Sequence, residues 1–322
     1  MVSPELAGHT ASFRGVCRPF RVYYIPMQPP TRHTPLAGNL KPLLDTLYAN
    51  RSQRHLDHDP LSRCRRFAAP EDREVAALIA SAFAYGNVKS ILKTLDGIFG
   101  EMGYSPRRFV ERFDPEEGLR RFAGFRHRFN DGRDLCALFL ALRMITETTG
   151  TIEAFFRRNH APASPDITDA LTAFSAGVLD LDYGPLFREE GIPRDSYFPF
   201  FFPSPASGSA CKRLCMFLRW VVRPDDGIDL GLWSGIAPSL LIIPVDLHIR
   251  RIARFLGLTD RNQADWKMAR EITARLRELD PDDPVKYDFS ICHLGISEGC
   301  DGTNRKPCGA CMVAPVCNGP AR

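Results

Sequence analysis

Near its C-terminus the chain reads CDGTNRKPCGACMVAPVC (residues 300–317), with Cys300, Cys308, Cys311 and Cys317 separated by seven, two and five residues. Four thiols in so short a loop can wrap one compact inorganic centre, and a cysteine cluster in a reducing compartment points to metal rather than disulfides. Structural zinc sites pair two C-x-x-C knuckles across a longer span. Only Cys308 and Cys311 form such a knuckle here. Two flanking single cysteines suit a [4Fe–4S] cluster, in which each iron takes one thiolate from a winding loop. Zinc is the less favoured occupant, and four unligated buried thiols are the remaining reading. Cys292, eight positions before Cys300 on the helix leading in, is the weakest ligand candidate.

The elements that must position this loop read as helices. Apolar residues recur at helical spacing in LKPLLDTLYANR, EDREVAALIASAFAYG and NVKSILKTLDGIFGEMG. The same spacing returns in SPRRFVERF, DLCALFLALRMITETTG, TIEAFFRR and KRLCMFLRWVVR. Asp246 stands at an N-cap position before LHIRRIARFLGL, and DWKMAREITARLREL reads as a charged surface helix. Ser209 is the expected N-cap of the KRLCMFLRW helix, with Gly208 turning the chain just before it. The run YFPFFFPSP, broken by prolines, reads as a packed connector, and PDDGIDLGLWSGIAPS as a polar connector that can loop out. Trp220 and Trp233 read as core. Strand-like alternation is nearly absent, so the expected class is all-α. The expected organisation is a flexible extension over 1–39, helices over 40–291, and a loop and tail over 292–322.

Composition narrows the function less. The charge of +4 and pI near 8.5 permit nucleic-acid binding without requiring it. No apolar run reaches 18 residues and the N-terminus lacks a signal-peptide core, so a cytoplasmic protein, not a membrane one, is expected. Arginine outnumbers lysine 35 to 7, which makes each lysine position informative.

The cysteine loop resembles the C-terminal iron–sulfur loop of the endonuclease III and adenine-mismatch branch of the helix-hairpin-helix DNA glycosylase superfamily. That branch has six residues in the first gap, where this chain has seven. SGSACKRLCMFLRW is similar to the end of that superfamily's hairpin and its lysine-bearing helix, and PVDLHIRRIARFLGL to its aspartate segment. EVAALIASAFAYGNVKSILKTL resembles the first helix pair of its six-helix domain. The likeness covers roughly residues 74–317, and residues 40–291 also resemble a bacterial family of uncharacterised proteins that share GSACKRL and a PVDLH-type segment. The resemblance implies two all-α lobes closed by a [4Fe–4S] loop. It further implies a monomeric, nucleoid-associated enzyme acting on double-stranded DNA that carries a damaged or modified base.

On that resemblance Asp246 and Lys212 are the catalytic residues of a DNA glycosylase with AP-lyase activity. Breaking an N-glycosidic bond builds positive charge on the sugar, which a carboxylate stabilises, while an amine can attack the sugar carbon and form an imine. A helix N-terminus favours the charged carboxylate and disfavours the charged amine. The plainer readings are an N-cap for Asp246 and a surface lysine for Lys212, although no other lysine lies between Lys93 and Lys267. The two are 34 positions apart, nearly twice the separation usual in the superfamily, and PSPASGSACK replaces the familiar Leu-Pro-Gly-x-Gly turn. Contacts to DNA or base are assigned to Asn87, Gly208, Ser209, His248, Arg250, Arg305 and Lys306. Against these stand a helix-ending Asn87, a packed His248, and a solvated face formed by Arg250, Arg251 and Arg254. A non-catalytic iron–sulfur nucleic-acid-binding protein of the same fold is the alternative, and a zinc-stapled helical protein with no nucleic-acid role the third.

Overall fold

The computed structural model describes residues 36–50, 53–158, 160–161, 163–188 and 191–319. These belong to one compact unit, Arg32–Arg322. Most of the expected extension, residues 1–35, and the last three residues of the tail lie outside the described residues.

The described residues are mostly helical, as expected. The helices are α1 (Leu40–Ala49), α2 (Gln53–Asp57), α3 (Leu61–Cys64), α4 (Pro70–Ala82), α5 (Val88–Glu101), α6 (Pro106–Glu111) and α7 (Pro115–Arg121). After a small hairpin, β1 (Arg126–His127) and β2 (Asn130–Asp131), come α8 (Gly132–Thr149), α9 (Ile152–Arg157), α10 (Thr168–Leu179) and α11 (Gly184–Phe187). The chain ends with α12 (Lys212–Val222), α13 (Leu247–Phe255), α14 (Trp266–Leu279) and α15 (Asp288–Ile296), then the cysteine loop.

Every residue from Glu74 to Ala82 of α4 is buried, and α8 buries most of its length. Helices hydrophobic on all sides belong in the interior. Here α4 packs against α3, α6 and α12, while α8 packs against α6, α7 and α9. A second group joins α13 to α15 and α15 to α1. Helix α12 bridges the groups, because it lies along α4 while Arg219 reaches Asp288 on α15.

Two expectations change on this frame. PDDGIDLGLWSGIAPS does not loop out, for Ile228, Asp229, Leu230, Trp233 and Ile236 are all buried. Its backbone pairs with α12, Leu230 N–H donating to the Trp220 carbonyl and Trp233 N–H to that of Val221, both at 2.7 Å. The cause is electrostatic: Asp229 is drawn between Arg219 and Arg223, and burying any of the three alone would be costly. Helix α14 is likewise no surface helix throughout. Trp266, Met268, Ala269, Ile272 and Leu276 form a buried face, leaving the charges outside. Trp220 and Trp233 are core as expected, the latter donating Nε1–H to Glu74 at 2.7 Å.

Candidate functional site

Lys212 opens α12 and Asp246 caps α13, and folding brings the Lys212 Nζ to 4.0 Å from the Asp246 Oδ2. The two carboxylate oxygens are used differently. Oδ1 accepts from the backbone N–H groups of His248 and Ile249, both at 2.8 Å, while Oδ2 faces Lys212. The side chains are 35% and 19% exposed, so the pair is open to a ligand without being fully solvated. The expected N-cap is therefore present on one oxygen, and the other faces Lys212.

The turn that delivers Lys212 differs from expectation. Ser209 is not the N-cap of α12; that place falls to Cys211, which sits at φ +47° in the left-handed region. A non-glycine residue held there carries local backbone strain. Ser209 instead pairs as a bridge with Asp265 and accepts the Cys211 N–H on its Oγ at 3.2 Å. Gly208, at φ +78°, turns the chain and its carbonyl accepts the Trp266 N–H at 3.1 Å. The Gly208–Ser209 backbone is thus engaged by the start of α14.

Sequence reasoning missed three neighbours of the pair. The Cys292 thiol on α15 donates to the Asp246 Oδ2 at 3.5 Å. Burial, and then the Asp246 and Asp288 carboxylates, push that thiol upward, so it stays a donor. Asp59, in the turn before α3, feels the positive charges of Arg219 and Lys212, although burial dominates and raises it. Beneath them Arg219 pairs with Asp229 at 3.1 Å and with Asp288. Burial pushes Asp288 up to about 6, against the pull of Arg219. No local pattern marked Asp59 or Asp288. The place of Cys292 on α15 was legible, its contact with Asp246 was not.

The remaining expected contacts fall elsewhere. Asn87 does not end a helix; it is the N-cap of α5, its side chain accepting the Lys89 N–H at 3.0 Å. His248 is packed and hydrogen-bonded, with Arg251 at 3.2 Å from its Nδ1 and no room for a side chain at Gly295 beside it. Arg250 reaches the Asn262 carbonyl at 3.3 Å. Arg305 and Lys306 are exposed on the cysteine loop.

That loop is docked on the helix that carries Asp246. Arg251 donates to the Cys300 carbonyl, and Asn318 N–H donates to the Phe255 carbonyl at 2.7 Å. Gly302 is required there: its φ is +82° and a Cβ would come within 2.9 Å of the Phe255 ring. Cys300, Cys308, Cys311 and Cys317 all line one cavity of about 480 Å³ between the loop and α13, while Cys292 does not. Apolar Ile252, Phe255 and Leu294 form its inner wall. Among the described residues no three His, Cys, Asp or Glu side chains close on a single-ion position. The donor set is four thiols lining a roomy, largely apolar cavity, and thiolates are the ligands a polynuclear metal–sulfur centre takes.

No described helix is long and apolar enough to cross a membrane. No curated protein and no solved structure matches the chain. A family described as "Protein of unknown function (DUF2400)" matches residues 59–297, about three quarters of the length. That span takes in Asp59, Lys212, Asp246 and Cys292 and stops before Cys300. The chain belongs to the DUF2400 family, and its four-cysteine loop lies beyond the matched span.

Proposed function

We propose that the protein is a DNA base-excision glycosylase with AP-lyase activity, in which Lys212 is the nucleophile and Asp246 its partner. The observation that carries this reading is the 4.0 Å approach of Nζ to Oδ2 between groups 34 positions apart, both partly exposed. The Lys212 amine would bond to the sugar C1′ as the bond to the base breaks, the base leaving with the electron pair. Ring opening then yields an imine, and the amine proton passes to Asp246 or solvent. Asp246, fixed by two backbone N–H groups, opposes the charge that develops on the sugar. The target base would be turned out of the stack to reach this pair. Cys300, Cys308, Cys311 and Cys317 would hold a [4Fe–4S] centre whose part is to shape the loop against α13.

Borohydride trapping on oligonucleotides with damaged or modified bases tests the reading. A covalent adduct is expected from the wild type and not from Lys212→Ala. DNA binding with neither adduct nor base release across a broad lesion panel would favour the non-catalytic binding protein instead.

A further inference from the structure

Next to α12 a group of aromatic rings is held together and reaches the surface. Tyr85 and Phe129 stack with centroids 5.2 Å apart and planes 21° apart. Phe200 meets both rings edge-on at 5.2 and 4.7 Å, and Tyr197 lies 4.9 Å from Phe129. Tyr197 is 52% and Phe200 40% exposed, so the cluster ends in solvent. The residue after Lys212 is part of it, because the Arg213 guanidinium covers one face of Phe200 at 3.8 Å.

The scaffold beneath is polar, buried and fully used. His127 contacts Thr94 at 2.8 Å and the Tyr85 carbonyl at 3.2 Å. Asn130 donates to Asp134 at 2.9 Å and to the Tyr197 carbonyl at 3.2 Å, and the Tyr85 hydroxyl donates to its side-chain oxygen. Such a network rigidifies what it holds. What it holds is the two-residue hairpin and the segment bearing the exposed rings, which a stable core does not require at the surface. The hairpin tip, Arg128, sits at φ +55°, and Arg126 and Arg128 are exposed beside Phe129. Lys89 and Arg194 are exposed on the flanking segments, whereas Arg133 is matched by Asp131 and Asp195.

Rigid exposed rings interleaved with cations that have no ion-pair partner among the described residues suit unpaired bases stacked on the rings with phosphates among the cations. We infer that this surface binds a single-stranded segment of nucleic acid. The inference goes beyond the Lys212 chemistry and does not depend on it.

Fluorescence anisotropy with a labelled 20-nucleotide oligothymidine, single-stranded and in duplex, tests it on the Lys212→Ala protein, so that failure of catalysis leaves the outcome readable. Tyr197→Ala with Phe200→Ala is expected to weaken single-strand binding about tenfold or more per ring, and duplex binding much less. Arg126→Ala with Arg128→Ala should lower the salt dependence of the same binding while leaving the stacking variants' effect intact. Circular dichroism confirms that each variant folds. Single-strand affinity unchanged in the aromatic variant, or duplex affinity weakened as much as single-strand affinity, would overturn the inference. Self-association abolished by the same two substitutions, without oligonucleotide binding, would overturn it in favour of a protein-binding surface.

Discussion

Replacing Asp246 by Asn separates the two roles this residue holds. Asn keeps the oxygen that accepts from His248 N–H and Ile249 N–H, and Asn caps helices about as well as Asp. It removes the charge that faces Lys212 at 4.0 Å. Two unit charges at that separation attract by about 1 kcal/mol in bulk water and about 4 kcal/mol at an effective dielectric of 20. With Lys212 35% exposed, the lower figure governs, and Asp246→Asn should cost about 1 kcal/mol of stability or less. Asp246→Ala removes the cap as well, adding about 1 kcal/mol. Urea denaturation of the two variants reads these differences. Imine trapping should respond on another scale, because loss of a group that opposes charge in the transition state slows a reaction roughly 100- to 1,000-fold. A trapping rate for Asp246→Asn within tenfold of wild type would refute the reasoning and leave Asp246 as a helix cap.

Two further outcomes concern the ground under the site. Arg219→Met leaves Asp229 and Asp288 buried without their shared guanidinium, so it should cost about 3–5 kcal/mol in urea denaturation, far more than removal of an exposed arginine. His293, stacked on His55 at 4.5 Å, is lowered to about 3 by burial and then by His55, Arg219 and His248. An unfolded chain would protonate it below its ordinary 6.5, so its contribution to stability is present above that pH and lost as pH falls toward about 3. Asp288, raised to about 6, acts in the opposite sense between about 4 and 6 and is unchanged in the comparison. His293→Phe should therefore lose less stability than wild type between pH 7 and pH 5, by up to about 2 kcal/mol, read from urea midpoints at the two values.

Most of the longer helices were legible because their apolar residues recur at helical spacing or, in α4 and α8, run almost without break, whereas α10 (Thr168–Leu179) was not read from the sequence. Short ones such as α2, α3 and α11 span too few residues to show a period. The cap at Asp246 was legible for the same local reason. Ser209 misled because Ser before a helix is a frequent N-cap, yet here a bridge to Asp265 holds it extended and the helix begins after a left-handed Cys211. The connector after α12 misled because polar and glycine residues suggest solvent. Asp229 is buried only because Arg219 on α12 and Arg223 at its C-cap await it.

What the sequence determined by itself was the set of elements and the chemical types they carry. These were an all-helical body, a lysine in the first turn of one helix, an aspartate at the cap of another, and four thiols in one loop. Which of these meet was decided in three dimensions. Lys212 and Asp246 face each other, Cys292 and Asp59 join them, the loop's cysteines line one cavity, and the rings near Lys212 reach solvent. Period and capping are set within a few residues of backbone, whereas these meetings depend on how α12, α13 and α15 pack around a buried set of paired charges.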